Sequence, residues 1–185
     1  MRLLPVLLSL FLVFPARAST CWEEAGRETN TSPQLLYALA KTESSLNPLA
    51  KNTSHIARTG SYGIGMMQIE SSHLPVLKRE GIDEARLLKD VCTNIKVGAR
   101  ILAADMKRHG TTWEAVGAYN ASCTVLKGEA CRKARARYAW KVYRNLPGFA
   151  RDKTRPGSGQ RLQSISTGPV ADPAPHPIII QERLQ

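Results

Sequence analysis

The sequence is poor in metal ligands and in acidic side chains. Four cysteines and four histidines are spread along 185 residues with no C-x-x-C and with the histidines scattered. That argues against a structural zinc site, which needs closely spaced ligand pairs. After the first eighteen residues no run is apolar enough to span a bilayer. No internal repeat and no recognisable nucleic-acid-binding motif occur, so a solenoid and a nucleic-acid reader are both disfavoured. Fifteen Asp and Glu stand against 26 Lys and Arg, a formal charge of +11. A surface so poor in anions attracts polyanions, which could be cell-wall polymer, anionic lipid or nucleic acid; the alternative is charge that mainly supports solubility.

What the chain does carry begins at its first residues. Arg2 supplies a positive n-region, Leu3–Phe14 an apolar core, and Ala16-Arg17-Ala18 an A-x-A cleavage site. Residues 1–18 therefore read as a signal peptide, and the run is too short for a membrane anchor. Loss of Arg2 and Arg17 takes the charge from +11 to +9, still strongly basic. All four cysteines, Cys21, Cys92, Cys123 and Cys131, lie in the exported part. An even count in an oxidising compartment points to two disulfides, with three pairings possible. Cys123 and Cys131 are near enough in sequence to close a small loop, and Cys21 and Cys92 would then tie the N-terminus to the middle of the domain.

The organising stretch is Thr31–Pro48, T-S-P-Q-L-L-Y-A-L-A-K-T-E-S-S-L-N-P. Ser32 suits an N-cap and Pro33 the first helical position. Leu35, Leu36, Leu39 and Ala40 recur at helical spacing and make one apolar face. Glu43, four residues after Leu39 and seven after Leu36, falls on that face. Burial disfavours its charged form, and so does its place in the last turn at the negative end of the helix dipole. A carboxyl that keeps its proton near neutral pH can act as a general acid. A surface glutamate at a fraying helix end is the plain alternative. Pro48 ends the helix by pushing Asn47 out of the α region.

Helices are also expected at Cys21–Thr29, from Ser71 or Ser72 to Gly81, from Asp83 to Leu88, at Val91–His109 behind Asp90, at Trp113–Asn120, and at Cys131–Leu146. The last has Ala134, Tyr138, Val142 and Asn145 on one face. Arg132, Lys133, Arg135, Arg137, Lys141 and Arg144 fill much of the rest, either a solvated outer face or a polyanion-facing one. Ser61–Glu70, S-Y-G-I-G-M-M-Q-I-E, reads as a loop or short strand because its glycines disfavour a helix. Residues 149–185 are rich in Pro, Gly, Ser and Gln without a period and read as a disordered tail. The expected domain is 19–148.

Three segments resemble one family. Glu43-Ser44-Ser45-Leu46-Asn47-Pro48 resembles the E-S-x-x-N-P motif of lytic transglycosylases (family 1) that carry the soluble-lytic-transglycosylase (SLT) catalytic domain. Gly60–Ile69 resembles the second motif, G-S-x-G-x-M-Q-I, and Ala118-Tyr119-Asn120-Ala121 the third, A-Y-N-A. They occur in the family's order and at about its spacing, and the likeness covers roughly Cys21–Tyr143. Met66 stands where many members have Leu, and Ser122 where many have Gly. The short exported form, with D-V-C-T-N-I at Asp90–Ile95, is similar to members attached to type IV secretion, conjugation, pilus and type III systems.

The resemblance implies a mainly α, lysozyme-like (goose-type lysozyme/SLT) fold with a small loop or short-strand region and a cleft for a glycan strand. It implies cleavage of the β-1,4 bond between N-acetylmuramic acid and N-acetylglucosamine in peptidoglycan, in the periplasm, with no metal or organic cofactor. Glu43 would be the acid. A glycosidase needs a second carboxylate. None is obvious in the motifs, since Glu70, the nearest, reads as a solvated residue ending a loop. A lone acid/base suits intramolecular attack by the muramoyl 6-hydroxyl, giving a 1,6-anhydro end. The rivals are a water-using muramidase of the same fold and a non-catalytic wall-binding assembly factor. By matched position Ser61 would hydrogen-bond Glu43 or the substrate N-acetyl group, Met67 would line the cleft or fill core, and Gln68 would bind sugar or brace its loop. Tyr119 would bring its hydroxyl near Glu43 or the glycosidic oxygen, and Asn120 would bind a sugar substituent.

Overall fold

The computed structural model describes residues 20–148. The expected signal peptide (1–18) and tail (149–185) lie outside the described residues. Eight α-helices and a small three-stranded sheet follow one another along the described chain. They are α1 (Cys21–Thr29), α2 (Pro33–Ser44), β1 (Lys51–Asn52), α3 (Ile56–Thr59), β2 (Gly63–Ile64), β3 (Ile69–Glu70), α4 (Leu74–Leu77), α5 (Glu84–Lys89), α6 (Val91–His109), α7 (Trp113–Asn120) and α8 (Gly128–Arg144). Tight 3₁₀ turns flank α4 at Ser71–His73 and Lys78–Glu80. Among the described residues no helix is long and apolar enough to cross a membrane.

Local chemistry sets most boundaries. The side chains of Ser32, Asp83, Asp90 and Thr112 each accept the backbone N–H three residues on, satisfying donors that a helix start leaves open. Thr20 and Glu23 form a reciprocal capping box at α1. Gly110 ends α6 with φ +72°, a conformation that favours glycine.

The central helix is α6, packed against α1, α2, α5 and α7, while α8 closes over α7 and α2. The core gathers Leu35, Leu36 and Leu39 of α2, Ile95 and Leu102 of α6, Val116 of α7 and Val142 of α8. Two helical glycines let elements approach closely. A Cβ on Gly98 would stand 2.7 Å from the Met67 side chain, and one on Gly117 would stand 2.7 Å from the Arg135 carbonyl oxygen. Disulfides Cys21–Cys92 and Cys123–Cys131 give the connectivity that joins the N-terminal helix to α6 and closes the loop before α8.

The β1-β2-β3 sheet is antiparallel, pairing Lys51 with Ile64 and Gly63 with Glu70. Buried Asn94 of α6 fixes the turn that follows β2. It accepts from Met67 N at 2.8 Å and donates to the Ile64 and Leu87 carbonyls at 3.1 Å each. Asn94→Ala leaves three buried backbone groups unpaired, and the expected loss is about 3 kcal/mol of unfolding free energy by urea denaturation. A loss under about 0.5 kcal/mol would mean that Asn94 does not hold this turn.

Two features depart from expectation. Helix α8 starts at Gly128, before Cys131. Arg135 is not on its solvated basic face but is buried, with 7% of its surface exposed. Its Nε donates to the Ala121 carbonyl at 2.9 Å and its Nη1 pairs with Glu114 at 2.8 Å. A guanidinium takes this place because the loop after α7 offers carbonyls and α7 a carboxylate, which compensate its desolvation.

Candidate active site

A cleft of about 770 Å³ runs between the sheet, α6 and the α7–α8 loop. Glu43, Ser61, Gln68, Glu70, Tyr119 and Asn120 all line it, as do His55, Asp105, Arg108 and the loop residues Ser122, Thr124 and Val125. Five of the six residues singled out in the sequence thus meet at one wall or another. The sixth, Met67, does not: its side chain is fully buried and packs on Gly98 beneath the cleft. This is the core-filling alternative. What Met67 contributes is backbone, since its carbonyl accepts from Tyr119 Oη at 2.9 Å.

Glu43 sits in the last turn of α2, as its spacing implies, and is about 7 in pKa instead of the ordinary 4.5. Burial of the carboxyl is the main cause, and the negative charge of Glu70 adds to it; a hydrogen bond from Tyr138 and the charge of Lys141 oppose it. Tyr138 Oη donates to Glu43 Oε1. Oε2 has no hydrogen-bond partner among the described residues, so one oxygen is held and the other is left to the cleft. The adjacent Ser44 anchors the helix end to the second motif, donating from Oγ to the Met66 carbonyl at 2.7 Å.

Ser61 does not bond Glu43. Its buried hydroxyl donates to Glu70 Oε2, while His55 Nε2 meets Glu70 Oε1 at 2.9 Å. Glu70 is therefore a partly solvated cleft residue braced on both oxygens, and it ends strand β3 and not a loop. Tyr119 gives its hydroxyl to Met67, not to Glu43, and its ring lines the cleft. Burial and the nearby carboxylates hold the Tyr119 hydroxyl well above its ordinary pKa. Gln68 braces its loop: Nε2 donates to the Gly65 and Ala50 carbonyls at 2.8 and 3.2 Å. Its Oε1 is buried against Gly63 and has no hydrogen-bond partner among the described residues. Asn120, at the end of α7, is exposed in the cleft.

Tyr138 is the functional residue that sequence reasoning placed only in the packing face. It lies 95 residues from Glu43, so no local spacing joins them. The available signal was general: a tyrosine on a buried stripe needs a partner for its hydroxyl. Tyr138→Phe removes the bond that holds Glu43 down, so the Glu43 pKa rises above about 7. The high-pH limb of kcat/KM is expected to move to higher pH, with kcat reduced about tenfold through loss of orientation. A limb that stays in place would deny Tyr138 this role.

The geometry fits a family profile. The profile of the transglycosylase SLT domain matches residues 20–141. The chain belongs to this family. As an SLT-domain protein it is a peptidoglycan lytic transglycosylase with the mainly helical, lysozyme-like fold. It is 44% identical over 133 residues to the invasion protein IagB of Salmonella typhimurium, covering 72% of this chain and 81% of that protein. It is 39% identical over 144 residues to the X polypeptide of Escherichia coli, covering 78% and 82%. With protein IpgF of Shigella sonnei the identity is 36% over 138 residues, covering 75% and 86%. The fold matches an X-ray structure of an inactive mutant of the lytic transglycosylase Slt from Pseudomonas aeruginosa, with TM-score 0.53 and 17% identity. That match covers 76% of this SLT-domain chain and 25% of the Slt chain, so the present protein spans about a quarter of Slt.

Proposed function

We propose that Glu43 is the single acid/base of this transglycosylase and that the product is a 1,6-anhydromuramoyl end. The carrying observation is the disposition of the three cleft acids. Glu70 is held on both oxygens by Ser61 and His55, and Asp105 is paired with Arg108. Glu43 is the one of the three with no ion pair among the described residues; its Oε2 faces no partner, and burial raises its pKa to about 7. Protonated Glu43 gives its proton to the glycosidic oxygen as the C1–O4 bond breaks. The substrate N-acetyl oxygen closes on C1 as the charge develops. The muramoyl 6-hydroxyl then attacks C1 and displaces it, and the Glu43 carboxylate takes the hydroxyl proton, so the acid is restored and no water is consumed. Asn120, exposed in the cleft, supplies a polar contact to the strand.

The enzyme acts in the periplasm, exported by the 1–18 leader, and opens the wall locally for a secretion, conjugation or pilus apparatus. The names of the relatives, an invasion protein among them, support that setting. Mass spectrometry of the soluble products of purified peptidoglycan tests the chemistry. Anhydromuramoyl ends are expected. Reducing muramoyl ends would mean that water is the acceptor, with Glu70 the acid to re-examine as its base.

A further inference from the structure

The outer face of α8 carries more than charge. Trp140 is 56% exposed although it is one of the largest apolar side chains in the protein. Its ring lies stacked on Tyr143, with centroids 5.2 Å apart and planes 20° from parallel. Trp113, at the start of α7, meets Tyr143 edge-on at 5.5 Å and 89°. The exposed indole is therefore a supported plate and not a loose side chain, because its stacking partner is itself wedged from behind. One exposed aromatic is ordinary by itself; what sets this one apart is that it is held flat by Tyr143 and flanked by cations.

Its surroundings indicate the ligand's chemistry. At 100° per residue, Arg137 and Arg144 lie one turn to either side of Trp140, and Lys141 lies between them and Tyr138, the residue that holds Glu43. The ion pairs on α8 go to Lys133, with Glu129, and to Arg135, with Glu114. Arg137, Lys141 and Arg144 are exposed and have no acidic partner among the described residues. The Lys141 charge is felt at Glu43, so this stripe of cations starts at the flank of the active site and ends at the indole. A flat aromatic face suits the apolar C–H face of a pyranose ring, and unpaired cations beside it suit carboxylates. A lipid surface would call for a broader apolar face. The remaining exposed large hydrophobics, such as Leu49, Val76 and Val125, are not on this helix.

We propose that Trp140, backed by Tyr143, together with Arg137, Lys141 and Arg144, forms a second peptidoglycan-binding surface outside the cleft. A sugar ring of the glycan strand lies on the indole and the acidic stem peptides lie on the cations. The proposal rests on the reading of peptidoglycan as substrate. Its effect is to hold the enzyme on the polymer between cleavage events.

Co-sedimentation with intact sacculi tests it, with Glu43→Gln as background so that the polymer survives. Trp140→Ala is expected to weaken binding roughly five- to tenfold, and Trp140→Phe to restore most of it. Arg137→Glu with Arg144→Glu is expected to weaken it at least as much and to flatten the salt dependence. In the Glu43 protein, Trp140→Ala should cleave a short, peptide-free, soluble glycan within about twofold of the unsubstituted rate, because that substrate occupies the cleft alone. Unchanged sacculus binding by Trp140→Ala overturns the proposal; if binding to vesicles of anionic phospholipid is lost at the same time, the surface belongs to lipid. A parallel loss of sacculus binding and soluble-glycan turnover also overturns it, since it would show damage to the cleft. If the Glu43 protein cleaves neither substrate while sacculus binding still depends on Trp140, the catalytic reading fails and the surface stands.

Discussion

Glu43→Gln is expected to lose about 10³-fold in turnover of peptidoglycan, within the range that positioned acid–base groups supply. The amide keeps the size of the carboxyl, can still accept from Tyr138, and has no proton to give the leaving oxygen. Sacculus binding should persist, so the loss should appear in kcat with KM little changed. The same substitution should stabilise the fold, and the sign follows from the direction of the pKa. Glu43 is raised from 4.5 to about 7 in the folded protein. Below pH 4.5 the carboxyl is protonated in both folded and unfolded chains and carries no penalty. Between 4.5 and about 7 the unfolded carboxyl ionises while the folded one keeps its proton, so the unsubstituted protein loses stability as pH rises, and above about 7 the loss is complete. Glutamine escapes it. The Glu43→Gln protein should gain up to about 3 kcal/mol relative to the unsubstituted one at pH 8 and nothing at pH 4, as read by urea denaturation at the two pH values. A site that gains stability when its reactive group is removed is one where burial strains function against folding. An activity loss with no pH-dependent gain would show that Glu43 ionises normally and is not the proton donor.

The second large effect lies far from the cleft. Cys21 and Cys92 are 71 residues apart and join α1 to α6. Closing a loop of that length restricts the unfolded chain by about 4 kcal/mol in the chain-entropy account. The Cys123–Cys131 bridge spans 8 residues and restricts it by only about 2.5 kcal/mol. Replacing both Cys21 and Cys92 by Ala should therefore cost about 4 kcal/mol, a large share of the stability of a domain of this size. Removing the short bridge should cost less in denaturation. Its larger consequence should be a higher KM, because Ser122, Thr124 and Val125 of that loop border the cleft. Equal costs for the two bridges would contradict the loop-length account.

What was legible in the sequence was local or pairwise. The caps at Ser32, Asp83, Asp90 and Thr112 act within one turn, so α2, α5, α6 and α7 begin where those residues stand. The place of Glu43 on the buried stripe follows from helical spacing alone. The partners of the site residues were not legible. Ser61, two residues before β2, meets Glu70 of β3, and strands only two residues long leave no period to read. Tyr138 reaches Glu43 because α8 folds back on α2, a contact fixed by packing and not by any motif. Arg135 looked like one more cation of a basic helix, and its burial depends on carbonyls and a carboxylate that α7 and its loop bring to it. The motifs therefore mark where the chemistry is, and tertiary contacts decide which oxygen is held, which is left open and which acid stays protonated.

The central claim is that Glu43 keeps its proton up to near neutral pH, with a midpoint far above the ordinary 4.5. Its carboxyl carbon can be followed by NMR in protein labelled with ¹³C at the glutamate side-chain carboxyl, with Glu43→Gln used to assign the signal. A midpoint near 7, moving higher in Tyr138→Phe, is the predicted result. A midpoint at the ordinary 4.5 would leave the cleft without a proton donor and contradict the account.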